Sequence, residues 1–300
     1  MGFIIPLLNS LPGAFAQGII WGIMALGVYM TFRIMNISDL TVDGSIATGG
    51  AVCVMLIRGG TPAGVAVIVA ACMGALAGLV TALLHTKCKI PAILASILTQ
   101  LALYSVNLRI LGGKSNQPIS VDKYKLVVSQ RFVRDLSLVK NPLPLLILIT
   151  VAIILIIYWF FGTEKGCSIR ATGGNAAMAR AQGINTQANI IIGFMIANGL
   201  VALSGALLVQ YQGSADVNMG RGAIVIGLAA VIIGETLFKN IFKNFALMLT
   251  AVVIGSVIYY LVLQLTLQLG LNTNDLKLIS AVLVALFLAI PNMRKGAKRA

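Results

Sequence analysis

Charge is what this sequence has least of. Of 300 residues only 8 are Asp or Glu and 1 is His, and charged residues of both signs make up 10%. A soluble domain carries about 25%, so the composition excludes an ordinary water-soluble globule. With so few proton-transfer groups, general acid–base chemistry has little to work with. Cysteine is sparse as well. Cys53 and Cys72 fall in apolar stretches and Cys88 and Cys167 in polar turns, a spacing that fits neither a disulfide framework nor a metal site. His85, the lone histidine, reads as a helix end rather than a ligand. No H-E-x-x-H and no G-x-S-x-G occurs. Gly112-Gly113-Lys114-Ser115 imitates the tail of a phosphate-binding loop, but Leu108 stands where that loop needs glycine, and an apolar span precedes it instead of a strand. The expectation is a chain that is not itself an enzyme, with no cofactor and no metal.

Long apolar runs are what is there. Residues 1–32, 59–86, 91–108, 141–163, 189–215, 244–274 and 278–293 carry no Asp, Glu, Lys or Arg. A helix crosses the hydrocarbon core in about 20 residues. The pattern predicts an all-α, polytopic integral membrane protein of about eight to ten transmembrane helices, some broken or re-entrant, forming a single transmembrane domain over 1–300. Nine apolar segments stand out, at 14–35, 45–57, 62–84, 91–111, 143–161, 190–210, 222–238, 245–266 and 276–290. Residues 3–16 imitate a signal peptide without a basic start and with Pro6 and Pro12 interrupting, so an uncleaved lead-in is expected.

The net charge of +14 comes from turns and termini, not from a basic helix face with interleaved aromatics, so lipid and topology are the expected partners of these cations and nucleic acid is not. Placing the tail Arg294-Lys295-Gly296-Ala297-Lys298-Arg299 in the cytoplasm brings Lys239 and Lys243, then Lys165, Arg170 and Arg180, then Lys87 and Lys89 to the same side. Residues 112–141 become an extracytoplasmic loop, in which the alternation at 124–128 and 131–138 predicts a short helix or strand pair. The N-terminus lies outside if all nine segments cross, and inside if one is re-entrant.

Between the fifth and sixth segments the chain keeps a polar island at 162–187, far more than a turn requires. Residues 176–182 suit a short helix, and Gly183 suits its stop. This is how a membrane subunit presents a docking surface to a partner in water. Asp39 and Asp43 sit in a polar linker before the short second segment. The linker reads either as a solvated turn or as an unwound stretch lining a wet cavity; Asp43 also suits a cap for the helix beginning near Ser45. Glu235 stands four residues before Lys239, the spacing of a local ion pair. Gln100, Tyr104 and Asn107 share one helix face, suited to a wet path or to interhelical hydrogen bonds, and Asn198 is polar within another span. Ala14, Gly18 and Gly22 form one ridge of small residues and Gly74 and Gly78 another, for internal packing or a subunit interface.

Several stretches resemble a known family. Residues 22–34 and Asp39-Leu40-Thr41-Val42-Asp43-Gly44-Ser45 are similar to the start of bacterial ABC importer permeases of the branched-chain amino acid and ribose type. Leu84-His85-Thr86-Lys87, Ser105-Val106-Asn107-Leu108-Arg109-Ile110, Arg170-Ala171-Thr172-Gly173-Gly174-Asn175, residues 198–206 and Asp216-Val217-Asn218-Met219-Gly220 agree with it. The likeness covers nearly the whole chain and is greatest to the subgroup assigned to tryptophan and tyrosine uptake. It implies a permease homodimer in the bacterial inner membrane, a separate ATPase subunit, and an extracytoplasmic substrate-binding protein. Residues 162–189 would be the cytoplasmic coupling segment, with Arg170, Gly173, Asn175, Ala176, Arg180 and Gly183 at the ATPase. Asp39, Thr41, Asp43, Gln100, Tyr104, Asn107 and Asn198 would line the path, and Lys123, Arg131 and Asp216 would meet the binding protein. The substrate implied is a small solute, an amino acid with an aromatic one favoured. The alternative is an ion-coupled secondary transporter with Asp39 and Asp43 as ion ligands.

Overall fold

A computed structural model describes residues 4–121, 123–133, 141–238, 241, 244–268 and a few positions between 278 and 285. The expected basic tail, Lys239, Lys243, Arg134, Lys140 and most of the ninth apolar segment lie outside the described residues.

The chain is an all-α membrane protein. Its helices are α1 Ile4–Tyr29, continued by a π-helical turn Met30–Ile34, α2 Thr41–Arg58, α3 Ala63–Thr86, α4 Ala92–Ile110, α5 Pro142–Gly162, α6 Glu164–Gly174, α7 Ala176–Ala181, α8 Thr186–Gln212, α9 Ala223–Phe238 and α10 Phe245–Gln268. Seven are long and apolar enough to cross a membrane, and α9, at 16 residues, is shorter. The ends follow local chemistry. Pro142 opens α5, which Asn141 caps through the Leu143 N–H at 3.0 Å. Gly213 closes α8 with φ of 79°, a conformation glycine adopts without strain. His85 ends α3 as expected, with Nδ1–H donating to Ile90 O at 2.8 Å.

Helix α8 is the axis of the bundle, and small residues let its neighbours approach. A Cβ at Gly49 of α2 would collide with the Ala202 backbone, and Cβ atoms at Gly74 and Gly78 of α3 would strike Asn198 and Phe194. Gly18 and Gly22 of α1 press on Val257 and Val253 of α10. Both small-residue ridges therefore serve contacts within the chain. Apolar burial drives no association between helices in lipid, so close packing and interhelical hydrogen bonds hold the bundle. Ser204 Oγ–H donates to Ile20 O at 2.7 Å, and Tyr211 O–H donates to Gly13 O at 3.3 Å. Leu101, Leu148, Ile156 and Trp159 on α4 and α5 point outward, as lipid-facing side chains do.

The two ends of the bundle are distinct. Strands β1 Asn116–Pro118 and β2 Ser214–Asp216 pair antiparallel, Asn116 opposite Asp216, which fixes the loop after α4 and the turn after α8 on one face. Gln117 also accepts from Arg58 at the end of α2. The Tyr211–Gly13 bond brings the start of α1 to that face too. Helices α6 and α7 lie at the opposite face. The alternation at 124–128 forms no strand; the strand pair uses Asn116–Pro118 and a partner distant in sequence, and Val127 N–H is satisfied by Gln210 Oε1 at 2.9 Å. A 3-10 turn, Gln130–Phe132, is the only regular element at 124–133, and residues 134–138 lie outside the described ones.

Candidate functional site: a broken-helix centre and a tethered coupling segment

After the π-helical turn the chain does not go straight into another span. Asn36 adopts φ of 56° and turns it back, and Ile37–Leu40 run unwound to Asp39. Asp39 is 2% exposed. Its Oδ1 accepts from Thr41 N–H at 2.9 Å, which caps α2, and its Oδ2 accepts from Asn198 Nδ2 at 2.7 Å. Asn198 lies twelve residues into α8, about 18 Å along its axis at 1.5 Å per residue. Helix α2 therefore starts deep inside the bundle, four residues before the expected Ser45. The linker is unwound as the second reading has it: Asn36 and Ser38 are exposed, and Asp39 is buried in the bundle.

Asn198 closes the network. It accepts from Ser45 Oγ at 2.6 Å and donates to its own helix at Phe194 O, while Thr41 Oγ1 shares a hydrogen bond of 2.8 Å with Thr81 of α3. Asp39, Thr41 and Asn198 are buried and mutually bonded, so α2, α3 and α8 are pinned together by polar contacts with no lipid to compete.

Asp43 does not cap its own helix. Its Oδ2 accepts from Gly222 N–H and its Oδ1 from Ile224 N–H, each at 2.9 Å, so it caps the start of α9. A Cβ at Gly220 would strike Asp43 O, and Met219 reaches Gly50. Residues 217–222 thus dip back among α2, α4 and α8 before α9 begins, which explains why α9 needs only 16 residues to reach the opposite face. The anion of Asp43 meets the positive end of the α9 dipole. At the other end of α9, Glu235 forms a two-pronged ion pair with Arg33 Nε at 2.6 Å and Nη2 at 2.5 Å. The π-helical turn of α1 brings Arg33 to the end of α9 and so gives Glu235 this long-range partner; the local partner expected for it, Lys239, lies outside the described residues.

Asp43, Gln100, Tyr104 and Asn107 line one cavity of about 350 Å³ with Val217 and Arg221. Asn107 is 1% exposed; its Nδ2 donates to Gly44 O at 3.4 Å, and its Oδ1 has no hydrogen-bond partner. The Arg221 guanidinium lies 6.0 Å from the Tyr104 ring centre. Four of the seven residues expected on a path thus meet at one cavity, and the other three form the buried network beside it. Arg221 joins them from a turn; by sequence it is one more turn cation, and nothing local marks the dip that brings it to the cavity.

At the opposite face α7 forms where the short helix is expected, capped by Asn175 Oδ1, which accepts from Ala177 N–H at 3.1 Å and Met178 N–H at 3.0 Å. Gly183 takes φ of 80° at its end. The sequence reading missed α6, whose glycines imitate a loop; Thr163 caps it through Gly166 N–H. Three tethers hold α6. Asn189 of α8 donates to Ser168 Oγ at 2.6 Å and Thr172 Oγ1 at 2.9 Å. A Cβ at Gly173 would collide with Ile34 O and Met35 of α1. Arg170 stacks 5.2 Å from the Phe245 ring centre at the start of α10. Beyond them Met178 and Arg180 are exposed, and Arg180 and Ala176 border a pocket with Asn36 and His85.

Lys123, Arg131 and Asp216 all lie on the β-strand face. Lys123 sits 5.6 Å from the Tyr124 ring centre, Arg131 borders a polar pocket with Gln17 and Gln264, and Asp216 Oδ1 accepts from Asn218 N–H at 2.6 Å. No group of three or more His, Cys, Asp or Glu that could hold a metal occurs among the described residues. All four cysteines are free, Cys53 buried and Cys72, Cys88 and Cys167 exposed.

Residues 11–291 match the family described as branched-chain amino acid transport system / permease component. A tyrosine transport system permease protein of Clostridioides difficile is 38% identical over 292 residues, covering 97% of this chain and 95% of that protein. A ribose import permease of Escherichia coli K12 is 29% identical over 231 residues, 76% of this chain and 70% of its own. Among solved structures, the PsaBC complex of Streptococcus pneumoniae with Fab aligns at 18% identity and a TM-score of 0.43, covering 86% of this chain and 94% of that chain. With a match running nearly end to end, this chain belongs to the family of permease components of branched-chain amino acid transport systems.

Proposed function

We propose that this chain is the translocating subunit of an ATP-binding cassette importer for an amino acid, with an aromatic side chain favoured. A separate ATPase docks on α6 and α7 at the cytoplasmic face. A substrate-binding protein delivers the solute at the β-strand face, with Lys123, Arg131 and Asp216 as contacts, and two copies of the chain enclose the path. Residues 1–300 act as one permeation domain, with the C-terminus in the cytoplasm. The observation that carries this reading is the tethering of α6: a push on α7 passes through Gly173 to α1, through Asn189 to α8 and through Arg170 to α10. Helices α1 and α8 flank the Asp39–Asn198 network, so force applied at one face reaches the broken-helix centre. The tyrosine permease relative supports the substrate class.

The ion-coupled alternative finds less support. Asp39 and Asp43 already accept hydrogen bonds from Thr41, Asn198, Gly222 and Ile224. Their role as helix caps explains two buried carboxylates without an ion.

The test is assembly and uptake. Arg170→Glu and Arg180→Glu are expected to reduce co-purification of the ATPase while the permease still accumulates in the membrane. Unchanged co-purification in both variants, or tyrosine uptake that persists without the ATPase, would overturn the reading.

A further inference from the structure

The cavity between α2, α4 and the dip before α9 carries more than a passage needs. It holds a carboxylate, Asp43, and a guanidinium, Arg221, that do not pair with each other; the one ion pair among the described residues is Arg33–Glu235. It also holds Asn107 Oδ1, a buried acceptor with no donor. Leaving a buried acceptor unmade is costly, and the exposed Arg221 guanidinium beside it has no anionic partner among the described residues. Its volume, about 350 Å³, falls in the range of small-molecule sites.

We propose that this cavity is a binding site on the permease itself for the solute in transit, shaped for a zwitterionic amino acid. The proposal rests on the importer reading above. The solute's α-carboxylate pairs with the Arg221 guanidinium, whose fork geometry matches two carboxylate oxygens. Its α-ammonium donates to Asn107 Oδ1 and to lone pairs of Asp43 left free by the two backbone bonds. Tyr104 holds the guanidinium from the far side. A neutral sugar satisfies the hydroxyl-type partners but leaves both charges unmatched, so the cavity discriminates by charge pattern and leaves the side chain to be read elsewhere. The dip before α9 supplies the irregular backbone such a site requires, since Val217 and Arg221 line the cavity.

The experiment uses the full chain in lipid nanodiscs, without ATPase or binding protein. Binding of radiolabelled tyrosine, tryptophan and leucine is measured, with unlabelled tyrosine, tyramine, 3-(4-hydroxyphenyl)propionate and ribose as competitors of tyrosine. At least one amino acid is expected to bind. Tyramine, lacking the carboxylate, and the propionate, lacking the ammonium, are each expected to compete about tenfold or more weakly than tyrosine, and ribose not at all. Arg221→Gln, in an exposed turn, and Asn107→Leu are each expected to weaken binding about tenfold or more, with Arg221→Lys recovering part of the loss. Melting temperatures of all variants are recorded, and Arg221→Gln decides the matter if Asn107→Leu does not fold. Equal binding by the truncated analogues, wild-type binding in Arg221→Gln, or no amino acid bound would overturn the proposal. ATP-driven uptake with the ATPase and binding protein reconstituted is followed in parallel. Amino acid uptake without these cavity effects overturns the site alone; no ATP-driven uptake of any solute overturns the importer reading.

Discussion

Removing the Asp43 carboxylate should unseat α9. Asp43→Ala takes the acceptor from two backbone N–H groups, Gly222 and Ile224, both bonded at 2.9 Å. A hydrogen bond to a charged group contributes about 1.5–3 kcal/mol. The site borders a cavity that water can reach, so the low end applies and the two bonds together amount to about 3 kcal/mol. For a chain of this size a kilocalorie shifts the melting temperature by about 2 °C, so the loss is about 6 °C. Asp43→Asn keeps one carbonyl acceptor and is expected to fall between, at about 3 °C. Thiol-reactive dye unfolding in detergent reads this directly. Cys53 is buried and the other three cysteines are exposed, so the assay runs in a Cys72→Ser, Cys88→Ser, Cys167→Ser background where only unfolding releases a thiol. If Asp43→Ala melts within about 1 °C of its parent, the cap is worth nothing and the reasoning fails. If it melts as the parent and loses transport, Asp43 acts on the solute and not on α9.

Asn198→Leu strips the buried Asp39 of its amide donor and Ser45 of its acceptor; a lost hydrogen bond to a charged group costs about 1.5–3 kcal/mol, and the variant is expected to be depleted from membranes by immunoblot, with Ser45→Ala only mildly affected. Gly173→Val forces α6 off the end of α1. ATP hydrolysis by the assembled complex should continue while uptake per ATP falls, and an unchanged ratio would deny that α6 transmits force. Arg33→Gln removes an ion pair whose arginine side chain is 52% exposed, so the expected shift is small, about 1 kcal/mol or less and about 2 °C by the same dye assay.

Much of the fold was legible because the bilayer simplifies the problem. Uncharged runs delimit spans, and eight of the nine segments became helices, seven of them within about four residues of the read bounds, while α1 begins ten residues before its expected start. The short helix at Ala176–Ala181 was legible from its flanking Asn175 and Gly183, since cap chemistry is local. Helix α6 was not: its Gly173 is there to meet the Ile34 backbone at the end of α1, a contact no window of sequence contains. The same limit hid the partners of Asp43 and Glu235. Asp43 invites its own helix near Ser45 but is bonded to the start of α9, and Glu235 is bonded to Arg33, 202 positions away in the chain. Gln100, Tyr104 and Asn107 could be grouped from helical spacing alone; Arg221 joined them only through the inward dip of 217–222, and a dip leaves no periodic trace.

The account stands or falls on what α7 touches. A photo-crosslinking amino acid placed at Met178, which is 59% exposed, in cells that also express the ATPase, tests it most directly. The account predicts a covalent adduct between this chain and the ATPase that disappears when the probe is moved to the outward-pointing Ile68 of α3. An adduct with the substrate-binding protein in place of the ATPase, or none with the ATPase, would contradict it.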